Sequence, residues 1–155
     1  MKTMLYSVMV VMIAGLLGAC GLFSPFQGEQ SASDDVLFNV LTEGGLCIAG
    51  QCQAILTVVR DGDYMMTSGT TAVSSGTIAA EQLAILAELI ETTDYAAIRA
   101  QPFTDVCPIA YDGSISTYTF YTSAGLESLA SCEYVIDPTH PLFSEINALL
   151  VMLTN

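Results

Sequence analysis

Along the chain the spacing of apolar side chains switches between two residues and three to four, and each switch marks a new element. Residues 36–41 form a short apolar run that predicts a first strand, broken by Glu43-Gly44-Gly45. Residues 53–59 are apolar and β-branched and read as a second strand. Arg60-Asp61-Gly62-Asp63 is a tight turn, because Asp-Gly tolerates the positive φ a short hairpin loop needs. Residues 64–67 return as the partner strand, and after Ser68-Gly69 residues 70–74 add a third. The period then lengthens. Leu83, Leu86 and Ile90 share one face of a helix over about residues 78–92, widened by Ile85 and Leu89, while Glu81, Glu88 and Glu91 face water. Thr77 is its expected N-cap. Asp94 caps a further turn over residues 95–99, and Pro102 ends the helical region.

The second half repeats this layout without repeating its residues. Residues 114–122 alternate and carry Tyr118, Phe120 and Tyr121, a strand signal. Ser123-Ala124-Gly125 turns the chain, and residues 126–135 return as a strand that includes Cys132. Asp137-Pro138 breaks it. Thr139 or His140 caps a last helix with Pro141 near its first position. Leu142, Ile146, Leu149 and Leu153 form the buried stripe of that helix, joined by Phe143 and Leu150. Hairpin, helix, hairpin, helix predicts an α+β fold: an antiparallel sheet built from hairpins, with two main helices packed on one face.

Ahead of these elements, residues 4–17 are apolar apart from Tyr6 and Ser7; Lys2 precedes them and Gly18, Ala19 and Cys20 follow. Charge, apolar core and small-residue exit are the parts of a secretory signal. A run of about fifteen residues falls short of the roughly 20 that span a bilayer. Leu16-Leu17-Gly18-Ala19-Cys20 resembles the lipobox of bacterial lipoproteins. The resemblance implies cleavage before Cys20, a lipid on Cys20, and a place in the bacterial cell envelope facing outside the cytoplasm. The expected organisation is a signal peptide at 1–19, a lipidated Cys20 with a flexible tether at 20–35, and a single α+β domain at 36–155. The tether is rich in Ser, Gly, Gln, Pro and acids, and a coil of about 15 residues reaches roughly 20 Å. Phe23 and Phe26 in it suit either the headgroup region or the edge of the domain.

Removing the leader sharpens the charge. The whole chain carries −13, and its single lysine is Lys2. Beyond Cys20, Arg60 and Arg99 stand against 16 acids, a formal −14. Such a surface repels nucleic acid and anionic headgroups, which argues against nucleic-acid partners. It attracts basic partners or divalent cations and equally serves solubility. The expected partners are therefore the membrane, through the lipid at Cys20, and a protein whose identity the sequence leaves open.

Four cysteines remain for disulfides: Cys47, Cys52, Cys107 and Cys132. Three pairings are open. Cys47 with Cys52, around a loop that Gly50 lets bend, and Cys107 with Cys132, between the start and end of a hairpin, are favoured. Zinc would want Cys-x-x-Cys spacing or more histidines; no metal and no cofactor is expected. His140 is the only histidine, and a helix-capping role explains it. Asp61-Gly62-Asp63 lacks the further ligands of a calcium loop. There is no phosphate loop and no dinucleotide fingerprint, so the chain is read as a non-enzyme with no catalytic residue.

One stretch retains specific chemistry. Asp105-Val106-Cys107-Pro108-Ile109-Ala110-Tyr111-Asp112, after a Leu- and Ala-rich helix and closing at Cys132, resembles the reactive-loop region of secreted bacterial subtilisin inhibitors. The resemblance implies a disulfide from Cys107 to a later cysteine and an inhibitory loop of Pro108, Ile109, Ala110 and Tyr111, with Ile109 and Ala110 at the protease cleft. The other cysteine pair and the helix after Cys132 depart from that family. Residues 90–137 are more similar to small bacterial lipoproteins with a Pro-Phe, Cys-Pro, Tyr-Asp-Gly and Ser-Cys series, here Pro102-Phe103, Cys107-Pro108, Tyr111-Asp112-Gly113 and Ser131-Cys132. That family implies no activity. A purely structural reading of the stretch has Pro108 stiffening a strand entrance, Tyr111 packing, and Asp112-Gly113 turning.

Overall fold

β1, Val36–Gly44, is the spine of the sheet. In the computed structural model the described residues are 35–45 and 52–154. The leader, Cys20, the tether up to residue 34, and Cys47 lie outside them. β1 pairs antiparallel with Gln53–Val59 (β2) on one side and Ser114–Thr122 (β5) on the other. Asp63–Ser68 (β3) and Thr71–Thr77 (β4) extend the sheet past β2, and Gly125–Ala130 (β6) extends it past β5. The order is β4-β3-β2-β1-β5-β6. Ala80–Thr92 (α1), Tyr95–Arg99 (α2) and Pro141–Thr154 (α3) supply the helices. The fold is α+β, and the chain from Asp35 onward is one compact unit.

Cross-strand partners share a face, which divides the sheet cleanly. Phe38, Val40, Leu56, Val58, Tyr118, Phe120 and Leu129 point one way and are buried. Leu86 and Ile90 from α1, Tyr95 and Ile98 from α2, and Leu142, Phe143, Ile146 and Leu149 from α3 join them in one core. Phe120 lies at its centre, 5.6 Å from the Tyr95 ring and 6.3 Å from Phe38. Fully burying a side chain such as Leu86 stabilises the fold by roughly 1.5–3 kcal/mol.

The opposite face is made of different residues. One row across it reads Ser75, Met65, Thr57, Asn39, Thr119, Ser128. The next reads Ala72, Thr67, Ile55, Leu41, Thr117, Ala130. None belongs to the core, and the three helices of the described residues pack on the first face.

Several local expectations are corrected. Thr77 does not cap α1. It is the last residue of β4, and its hydroxyl donates to Asp63 Oδ1 at 2.7 Å. The helix starts after Ala79, without a side-chain cap. Ile78 fixes the join instead: its N–H donates to the Gly62 carbonyl at 2.9 Å and its side chain enters the core. Ile85 is 43 % exposed, so the α1 stripe is narrower than its apolar content suggests. The return strand stops at Ala130 rather than Val135. The N–H groups of Glu133 and Tyr134 both donate to the Ala130 carbonyl, which places Cys132 in a turn. Beyond that turn the chain pairs with the segment after α2, Phe103 N–H donating to the Glu133 carbonyl and Val135 N–H to that of Gln101. Asp94 does cap α2, accepting from Ala97 N–H at 3.0 Å.

Candidate functional site

The Cys107–Cys132 disulfide joins the segment before β5 to the turn after β6, with Cα atoms 5.4 Å apart. Pro108–Tyr111, just beyond it, winds into a single 3-10 turn. Pro108 at its first position needs no N–H there and brings a φ suited to the turn. Ala110 N–H donates to the Cys107 carbonyl at 3.0 Å and Gly113 N–H to the Pro108 carbonyl at 2.8 Å. Asp112 ends the turn at φ 62, a left-handed conformation that Asp tolerates better than most residues.

The turn is also fastened to the spine of the sheet. Gly45 N–H donates to the Gly113 carbonyl at 3.0 Å. A Cβ at Gly44 would meet that carbonyl oxygen at 2.7 Å and Ile109 Cγ1 at 3.2 Å, so glycine is what lets the turn approach β1. A disulfide, two local hydrogen bonds and one long-range hydrogen bond therefore fix this backbone.

What the fixed turn presents is apolar. Val106 is 66 % exposed, Ile109 51 % and Tyr111 63 %. Tyr111 thus does not pack into the domain; its hydroxyl reaches only the Val106 carbonyl, at 3.4 Å. Asp105 and Asp112 flank the three side chains. Beneath Ile109 lies a depression of about 450 Å³ whose acids are Glu43 and Asp112, and Gln53 donates to Glu43 across it at 3.4 Å. Cys52, on the same rim, is disulfide-bonded.

The other sequence candidates are absorbed by structure. His140 Nδ1 accepts from Leu142 N–H at 3.3 Å, which makes it the cap of α3. Asp61 Oδ1 accepts from Asp63 N–H at 3.1 Å and closes the β2–β3 turn. Among the described residues, no three His, Cys, Asp or Glu side chains converge. A second depression, of about 280 Å³, lies at the β5–β6 turn. There the Arg99 guanidinium pairs with Glu127, and Glu91 accepts from both the hydroxyl and the N–H of Ser123. Those two Ser123 donors hold the Glu91 carboxyl below the ordinary carboxylate range. Burial pushes the neighbouring Tyr95 hydroxyl well above the ordinary phenol value, and its O–H donates to the Ile90 carbonyl at 2.9 Å. Every one of these groups already has a partner inside the fold.

No protein-family model, curated protein or solved structure matches this chain. Sequence reasoning found Ile109 and Tyr111 through the Cys-Pro stretch. It passed over Val106, which carries no motif, and Gly44, whose role depends on a carbonyl almost seventy residues away in sequence.

Proposed function

We propose that this chain is a lipid-anchored, non-enzymatic protein-binding module of the bacterial envelope, and that it docks its partner through the knob formed by Val106, Ile109 and Tyr111. The observation that carries the reading is a rigid backbone presenting three large apolar side chains, each more than half exposed. An unliganded protein keeps such a cluster in water at a cost, and aromatic and aliphatic anchors on a pre-ordered backbone are what binding hot spots are made of. The acids around it fit a partner cleft with a basic rim. The anchor rests on the lipobox-like leader, and the disulfides suit an oxidising compartment.

The test is in-cell photo-cross-linking from position 109, beside a Cys20→Ser variant. The proposal expects one partner band, lost on Tyr111→Ser, and release of the Cys20→Ser chain from membranes. No adduct from position 109 removes the docking surface; unchanged fractionation and mass remove the anchor.

A tethered serine-protease inhibitor acting through Ile109 and Ala110 is the second reading, favoured by the disulfide that pins an exposed loop. Substrate-like inhibitors offer an extended backbone to the protease, whereas Pro108–Tyr111 is a 3-10 turn, and for that reason this reading ranks below the first. No inhibition of a serine-protease panel at micromolar concentration would eliminate it.

A further inference from the structure

We draw no further inference here: the strongest candidate, the depression beneath Ile109 at the end of β1 with Glu43 and Asp112 on its rim, belongs to the site already described, and nothing in the structure shows which ligand its two carboxylates would take.

Discussion

Arg99 of α2 donates to the carboxylate of Glu127 on β6, and this ion pair ties the short helix to the edge of the sheet. Arg60 donates to the Tyr121 carbonyl on the adjoining strand. Both arginines of the domain are thus engaged against the same hairpin, and the outer surface is left to the acids. The side chains of Arg99 and Glu127 are 35 % and 26 % exposed, so water screens the pair and its strength is modest. Arg99→Ala and Glu127→Ala should each lower stability by about 1 kcal/mol, with a coupling of roughly 0.5–1 kcal/mol in a double-mutant cycle. Urea titrations at low and high salt check this: the coupling should shrink as salt rises.

The carboxyl of Glu91 is more acidic folded than unfolded, because Ser123 donates to its charged form. Asp137 is shifted the same way by the Thr139 hydroxyl and N–H. The unfolded chain therefore binds more protons as pH drops, and stability is lost as pH falls through the folded values. Their contribution is fully present above the unfolded carboxylate range of about 4–4.5. A melting-temperature profile from neutral pH down to about 3 should fall on the acid side. Ser123→Ala should flatten that fall relative to the parent chain.

Breaking the Cys107–Cys132 disulfide frees a loop with a sequence separation of 25. Loop-closure entropy puts the loss from a Cys107→Ser, Cys132→Ser double variant at about 3 kcal/mol. Denaturant unfolding measures the loss. Hydrogen exchange should locate its native-state consequence at the N–H groups of Ala110 and Gly113, which hold the 3-10 turn.

Gly44 and Gly45 have nearly the same backbone, at φ +88 and +90, but different surroundings. A Cβ at position 45 meets nothing within 4 Å, whereas one at position 44 strikes the Gly113 carbonyl. Gly45→Ala should cost about 1 kcal/mol of backbone strain, and Gly44→Ala at least about 1 kcal/mol more. Thermal unfolding of the two variants side by side makes the comparison, and equal losses would remove the role assigned to that contact.

The elements were largely legible in the sequence because they obey local rules. Asp61-Gly62 makes its turn, Asp94 caps its helix, and alternation marks β5. The misses are where a distant partner outbid a local signal. Thr77 is a good N-cap by composition, but Asp63 across the hairpin takes its hydroxyl. Ser131 N–H still donates to the Ser116 carbonyl, but the backbone bonds of residues 133–135 go to Ala130 and to Gln101 and Phe103 instead of to β5. The candidate site was half legible: the Cys-Pro stretch marked its place, but exposure of Tyr111 is decided by how the whole turn is hung from β1, which no local pattern records.

The place of β1 bears on how the domain is made. The first of the described strands to emerge is an inner strand of the finished sheet, and β5, its neighbour on one side, comes only after α1, α2 and the 3-10 turn. During vectorial synthesis or export β1 can close on β2 at once, but its other edge stays bare until residues 114–122 arrive. Folding is then gated by one long-range closure, the pairing of Phe38 with Phe120, which is entropically slow and exposes a half-sheet in the interval. The sheet is therefore completed late, when its far half docks onto the strand that was made first.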